Sequence, residues 1–368
     1  MVELKKQIIH PEVIQEMADD IKIVYTPFHG TGNVPVRRIL KELGFKHVYI
    51  VKEQEKPDPD FTTLEYPNPE DPKAFTLALK LAKEKDADII LATDPDADRL
   101  GVYSKDTKTG EYKAFTGNMS GMLIAEYLLS QRKEKNLLHD NGAFVKTIVS
   151  TNMADAIAAE YNVKLIEVLT GFKYIGEVIL NLEKKHEENR YLFGFEESYG
   201  YLSGTYVRDK DAVVASMLVC EMAAYYKKQG KSLAEVIDGL YEEFGYYLNQ
   251  TYSFEFDGAS GMQKMADIMT AVRDNTPKSI AGYDVVKVSD YFLRKETDVA
   301  TGSITDIDLP KSNVIALHLA NDNAVIIRPS GTEPKIKLYI TSVGKDKDNA
   351  AEICEKLVVA SKEILGVE

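Results

Sequence analysis

Apolar and polar positions fall into two alternating rhythms from Ile21 onward. IKIVYTPF, HVYIV and DIILATD are short runs rich in β-branched residues, whereas VPVRRILKELG and AFTLALKLAKEKDA repeat apolar residues at helical spacing. Strand, helix, strand, helix, strand in that order predicts βαβ units around a parallel or mixed sheet. The rhythm restarts after Gly117, with a helix at NMSGMLIAEYLLSQRKEKN, strands at AFVKTIV and KLIEVLT, and a helix at MADAIAAEY between them. It continues through FKYIGEVILNLEKKHEEN and YLFGFEES to a long helix from Asp209 to about Gln229. Beyond Gly245 strands dominate: YYLNQTYSFEF, VVKVSDYF, NVIALHL, NAVIIRP and KIKLYITS, with helices at SGMQKMADIMTAVRDN and near Asn349 to Leu365. Runs of adjacent strands with few helices predict an α+β domain. The expected architecture is therefore two related α/β domains with mixed sheets, residues 1–117 and 118–246, followed by a smaller α+β domain, residues 247–368.

The acidic stretch LATDPDADRLG places Asp94, Asp96 and Asp98 on a short loop after an apolar strand. Aspartates around a proline can be simple turn formers. Three carboxylates in strict alternation, followed by Arg99, instead suggest mutual repulsion relieved by a cation. An EF-hand would need Gly at the sixth loop position and Glu at the twelfth, but Arg99 and Lys105 stand there. A compact set of oxygen ligands at the C-terminal end of a strand suits Mg2+ that keeps waters or a phosphate oxygen as its other ligands.

RPSGTEPK, residues 328–335, lies between two strands. Read plainly it is a hairpin turn, but Arg328, Ser330, Gly331 and Thr332 combine a guanidinium, hydroxyls and a glycine turn able to aim backbone N–H groups at an anion. GFEESYG follows another apolar strand, and its Glu196 and Glu197 could accept hydrogen bonds from paired sugar hydroxyls. Because adjacent strand residues point to opposite faces, one of the pair is expected to be structural. VRDKD opens the long helix, where its acids suit capping while Arg208 and Lys210 suit an anion; both readings stay open. Lys173, in TGFKYIG, follows a strand and gains meaning only from its company. TPFHGTG lacks the third glycine of a dinucleotide fingerprint, no P-loop segment occurs, and His29 reads as structural.

Composition narrows the field. At 368 residues the chain exceeds one ordinary core, and its net charge of -13 argues against a general nucleic-acid binder. An anionic ligand must then be held by a local basic pocket. Cys220 and Cys354 stand far apart in sequence, without zinc spacing or a disulfide framework, and suit a reducing compartment. The N-terminus lacks the apolar core of a signal peptide, and no stretch approaches the ~18 apolar residues of a membrane span. The expected setting is cytoplasmic, with neither nucleic acid nor membrane as partner; oligomeric state is not encoded in any legible pattern.

Taken in order, TPFHGTG, ATDPDADR, TGFK, GFEESYGY with VRDKD, and RPSGTEPK closely resemble the α-D-phosphohexomutase superfamily, the phosphoglucomutases and phosphomannomutases. The resemblance covers essentially the whole chain and corresponds to the second, third and fourth of the family's four domains. It implies interconversion of hexose 1-phosphate and 6-phosphate through a phosphoserine, with glucose 1,6-bisphosphate as intermediate and Mg2+ as cofactor. Asp94, Asp96 and Asp98 would hold the metal, and Arg99 would lie beside the phosphoserine. Lys173 would exchange protons, Glu196 and Ser198 would bind the sugar, and Arg328, Ser330, Gly331 and Thr332 would bind the substrate phosphate. Phe195 stands where many members have glycine, as in the branch that includes bacterial glucomutases and phosphopentomutases. Glucose phosphates are the first expectation, with phosphopentoses or non-catalytic sugar-phosphate binding as alternatives. The family's serine lies in a T-A-S-H-N-P-like loop that these residues do not contain, so a truncated chain without turnover of its own is expected.

Overall fold

The computed structural model of the chain describes residues 1–256, 260–331 and 333–367. Two compact units emerge, residues 1–150 with 154–240, and residues 151–153 with 241–368.

The first unit opens with two short helices, α1 (Val2–Lys5) and α2 (Pro11–Met17). Then come β1 (Lys22–Thr26), α3 (Asn33–Leu43), β2 (His47–Ile50), α4 (Thr76–Lys85), β3 (Ile89–Thr93), β4 (Leu100–Lys105) and β5 (Tyr112–Phe115). Their sheet runs β2-β1-β3-β4-β5, parallel over the first three strands and antiparallel over the last two. After α5 (Gly117–Glu134), a second sheet is built from β6 (Ala143–Thr147), α6 (Met153–Glu160), β7 (Lys164–Val168), α7 (Phe172–Glu183), β8 (Tyr191–Glu196) and β9 (Gly200–Leu202). Its order is β7-β6-β8-β9, again three parallel strands and an antiparallel fourth. The two sheets therefore repeat one topology: first strand between second and third, fourth returning antiparallel beside the third. The predicted kinship of the two α/β parts is visible as this shared winding.

Helices α8 (Ala212–Lys228) and α9 (Leu233–Phe244) complete the unit. The long helix begins at Ala212, later than the Asp209 expected from sequence, because Asp211 is its cap: Oδ1 accepts from Val213 N at 2.7 Å and Val214 N at 3.2 Å. Nearly all of α8 is buried, so its sequence is apolar all round and its ends are marked by the cap and by Lys227 and Lys228. α9, β5 and β9 are additions to the elements read from sequence.

Buried within this unit, Glu221 of α8 accepts hydrogen bonds from the Ile9 and His10 amides at 2.8 and 2.6 Å. Burial raises its pKa, against the pull of those two amides. One carboxylate thus fastens the segment between α1 and α2 to the core.

In the second unit, β10 (Tyr246–Glu255), α10 (Gly261–Asp274), β11 (Ser279–Ile280), β12 (Tyr283–Asp290), β13 (Lys295–Asp298), β14 (Ile304–Asp306), β15 (Ile315–Leu319), β16 (Ala324–Pro329), β17 (Lys335–Gly344) and α11 (Lys347–Leu365) follow in order. The main sheet path, β10-β17-β16-β15-β12-β13-β14, is antiparallel throughout. Met265, Met269 and Val272 of α10 and Ile353, Cys354 and Leu357 of α11 share its core with Leu317, Val325 and Leu338. This is the α+β part expected from the strand-rich sequence, with the short β13–β14 hairpin as an unforeseen addition. Among the described residues no helix is long and apolar enough to cross a membrane.

Replacing Glu221 with Ala strands two buried amides, so we expect a loss of about 2–5 kcal/mol in urea unfolding, with Glu221→Gln, which keeps one acceptor oxygen, losing less.

Candidate functional site

The loops that follow the third strand of each sheet meet. Asp94–Arg99 joins β3 to β4, and Glu197–Tyr199 joins β8 to β9, so the two stretches occupy equivalent places in the repeated topology. Leu100 N donates to Tyr199 O at 3.0 Å, and Arg99 pairs with Gly200 in an antiparallel bridge. Both loops lie at the C-terminal ends of parallel strands, where open α/β sheets collect ligands.

The acidic loop is a tight turn. Ala97 adopts φ 61°, and Asp94 Oδ1 accepts from the amides of Asp98 and Arg99 at 3.1 and 3.0 Å. TPFHGTG grips it from one side. Thr31 N and Oγ1 both donate to Pro95 O, at 2.8 and 3.1 Å, and Tyr25 Oη lies 2.9 Å from Thr93 Oγ1. Gly30 is required there, since a Cβ would stand 2.4 Å from Pro95 Cα. His29 is anchored on both sides: its ring nitrogens contact Lys56 O at 2.7 Å and Thr63 Oγ1 at 2.8 Å.

One carboxylate oxygen from each of Asp94, Asp96 and Asp98 falls within 4.8 Å of the others. Such spacing costs roughly 3 kcal/mol per charged pair at an effective dielectric of 20. Burial pushes the Asp94 pKa up to about 7, helped by the charges of Asp98 and Asp96 and opposed by the Arg99 amide. Asp98 Oδ1 is buried with no hydrogen-bond partner. Three convergent carboxylates, one of which has an orphaned oxygen, are the donor set a hard divalent cation requires, so the residues fit Mg2+.

Cations close the ring around this cluster. Lys210 Nζ lies 2.8 Å from Asp98 Oδ2 and 3.9 Å from Glu196 Oε1, so one ammonium bridges the acidic loop and the glutamate loop. Burial alone would lower its pKa, but the hydrogen bond to Asp98 and the charges of Glu196, Asp98 and Asp209 hold it above the usual value. Its stem passes over Gly200, where a Cβ would stand 2.2 Å from Lys210 Cδ. Arg99 Nε sits 3.8 Å from both Asp94 and Asp98, and its Nη1 donates to Glu70 Oε1 at 3.3 Å.

The paired glutamates face different partners. Glu196 faces Lys210; burial first, then the charge of Glu197, raises its pKa to about 7 against the pull of Lys210 and Arg99. Glu197 accepts from Thr147 Oγ1 at 3.0 Å and from Ser198 Oγ at 3.3 Å. Phe195 packs into the core against Gly121, where a Cβ would stand 2.4 Å from its ring.

Lys173 occupies the first turn of α7, exposed, with Nζ 5.0 Å from the Tyr174 ring; its neighbour Phe172 carries Lys210 Nζ over its ring at 5.8 Å. Arg208 turns away from the carboxylates, pairing with Glu183 at the end of α7 and donating to Thr205 O. In the second unit, the β16–β17 hairpin presents Arg328, whose Nη1 donates to Tyr339 Oη at 3.2 Å and which has no carboxylate partner within 4 Å among the described residues. Ser330 N donates to Lys335 O at 2.8 Å, its Oγ accepts from Glu333 N at 3.3 Å, and Gly331 is exposed at the tip. Thr332 lies outside the described residues. Glu70, Thr147 and the Gly30 clamp are neighbours of the site that sequence reasoning passed over, although the Gly-rich TPFHGTG already contains Gly30.

Chemically, the first unit presents a carboxylate cluster that fits a cation, ringed by a lysine, an arginine and further carboxylates, a combination suited to a phosphorylated, hydroxyl-rich ligand. Comparison with known proteins agrees. Family models described as phosphoglucomutase/phosphomannomutase match residues 3–109 (alpha/beta/alpha domain II), 116–244 (alpha/beta/alpha domain III) and 295–359 (C-terminal domain). The chain belongs to the phosphoglucomutase/phosphomannomutase family.

Among curated relatives, a phosphoglucomutase of Staphylococcus epidermidis (strain ATCC 12228 / FDA PCI 1200) is 39% identical over 322 residues, covering 88% of this chain and 57% of its own length. A phosphoglucomutase of Staphylococcus aureus (strain MRSA252) is 38% identical over 333 residues, 90% of this chain and 59% of its own. The chain thus spans less than two thirds of these relatives. In fold it is similar to the open form of Paramecium pp63/parafusin, a phosphoglucomutase (TM-score 0.71, 19% identity, 99% of this chain and 61% of that one). It is also similar to Aspergillus fumigatus N-acetylphosphoglucosamine mutase, solved in complex with GlcNAc-6P and magnesium (TM-score 0.54, 12% identity, 98% and 65%).

Because a proton on Asp94 competes with a cation, Mg2+ affinity in calorimetric titration should rise roughly tenfold per pH unit up to about pH 7 and level off above it, with proton release on binding near neutrality. Gly200→Ala should displace Lys210 from Asp98, weakening sugar-phosphate binding several-fold with little change in Tm.

Proposed function

We propose that the chain carries the metal, sugar and phosphate loops of a phosphohexomutase, an isomerase of carbohydrate metabolism that interconverts hexose 1-phosphate and 6-phosphate, with glucose phosphates as the first substrate class. The observation that carries this reading is the Lys210 bridge between the Asp94–Asp98 carboxylates and Glu196, which brings a cation site and a hydroxyl-binding site together.

Asp94, Asp96 and Asp98 would hold Mg2+, which when bound neutralises charge on phosphoryl oxygens. Arg99, tethered by Glu70, supplies a second positive group beside that position. Glu196, Glu197 and Ser198 orient sugar hydroxyls by hydrogen bonding. Lys210 holds the two loops in register and lends positive charge to an incoming phosphate. Lys173 is the group we assign to proton exchange with the sugar hydroxyl, and Arg208 helps set the loop before α8. Arg328, Ser330, Gly331 and Thr332 form the phosphate-binding loop of the second unit. Phosphoryl transfer depends mainly on such positioning and charge neutralisation.

These residues contain no T-A-S-H-N-P-like serine loop, so the 368-residue chain by itself is read as a binder of substrate and glucose 1,6-bisphosphate without turnover. The same reading puts it in the cytoplasm, consistent with two buried, unpaired cysteines.

Calorimetry with glucose 1,6-bisphosphate tests the reading. Binding should be strengthened by Mg2+ and weakened tenfold or more by Arg328→Ala, and a coupled assay of the chain alone should show no conversion of glucose 1-phosphate. Binding indifferent to both Mg2+ and Arg328 would refute the site assignment, and turnover by the chain alone would refute the assignment of the nucleophile to other residues.

A further inference from the structure

A second charged cleft lies at the opposite ends of the first sheet's strands. Lys22 at the start of β1, Asp88 just before β3 and Lys105 at the end of β4 line it, with Asp86, Lys227 near the end of α8, and Lys231 before α9. The cavity is about 330 Å3, within the range of about 300–1,000 Å3 typical of small-molecule sites. Five-residue β3 separates it from Asp94, a span of roughly 17 Å at strand rise, so it is not part of the acidic-loop site.

Its charge is unlike that of the chain. Asp86 pairs with Lys105 and stands 3.9 Å from Lys22 Nζ, while Asp88 takes Lys227 Nζ at 2.7 Å. Lys231 has no ion-pair partner among the described residues. Four lysines against two aspartates leave an excess of two positive charges, in a protein whose net charge is -13. The Thr107 hydroxyl and the first turn of α9 complete the wall. Glu235 of α9 stands behind this wall, accepting from Ser232 N at 2.8 Å, Ser232 Oγ at 3.1 Å and the Thr107 hydroxyl, with the charge of Lys108 beside it. Ammonium groups that already fix α8 to the sheet are oriented before a ligand arrives, which lowers the ordering cost of binding. Two surplus charges in a small cleft favour a compact dianion over an extended polyanion.

We propose that this cleft binds a phosphate dianion, free or as the phosphate of a monoester, at a site separate from the acidic loop. The test uses the full chain carrying Arg328→Ala, so that the phosphate loop of the second unit is disabled. Inorganic phosphate and glucose 6-phosphate are titrated separately by calorimetry without Mg2+, before and after adding Lys22→Ala with Lys231→Ala. The expected result is that binding survives Arg328→Ala and weakens at least tenfold with the lysine pair, and likewise with Thr107→Glu, which places a carboxylate at the rim without removing any ion pair. Ester binding tighter than that of phosphate, with the difference lost in the lysine-pair variant, identifies a sugar phosphate as occupant, and equal binding that the lysine pair weakens identifies the phosphate group alone; either supports the site. Loss of all binding with Arg328→Ala, or binding untouched by both the lysine pair and Thr107→Glu, overturns it.

Discussion

Holding three carboxylates together is the constraint on which the site depends. With their oxygens within 4.8 Å, Asp94, Asp96 and Asp98 oppose one another, and the protein answers with fixed dipoles and cations instead of separating them. Two amides point at Asp94, Lys210 reaches across from the neighbouring loop, and Arg99 is held back toward the cluster by its own backbone turn and by Glu70. Asp98 still keeps one oxygen without a hydrogen bond. A bound cation would supply that missing partner.

Duplicated topology is what makes that arrangement possible. Each sheet of the first unit ends its parallel portion with a third strand and then turns back, and the two turns are the acidic loop and the glutamate loop. The Arg99–Gly200 bridge joins them edge to edge. Glycines at 30, 117 and 200 matter here for the side chains they lack. A Cβ at Gly117 would stand 2.0 Å from Glu197 O, just as one at Gly200 would displace Lys210. Close backbone approach therefore brings two strand-to-strand loops together into one site.

Much of this was legible in the sequence. β-branched runs such as IKIVYT and DIILAT became buried strands because a strand covered on both faces has an uninterrupted apolar signature. DPDADR and GFEES were recognisable because their chemistry is local. The partners of those motifs were not legible: Glu70, Thr147 and Pro95 reach the site through tertiary contacts between residues 29 to 64 positions apart. Capping and anion binding competed for VRDKD, and the structure divides them by residue, with Asp211 as cap, Lys210 turned to the site and Arg208 tied to Glu183. The short strands β9, β13 and β14 escaped because three or four residues carry too little periodicity to be read.

One cation is expected to bind all three aspartates, with Lys210 at the border of its site. Crystals grown with Mn2+ in place of Mg2+, measured above the manganese absorption edge, test it directly. The expected result is an anomalous peak bonded to oxygens of Asp94, Asp96 and Asp98, with Lys210 still against Asp98 or Glu196. Manganese bound elsewhere in the unit, or no peak at the acidic loop under saturating metal at pH 8, would contradict it.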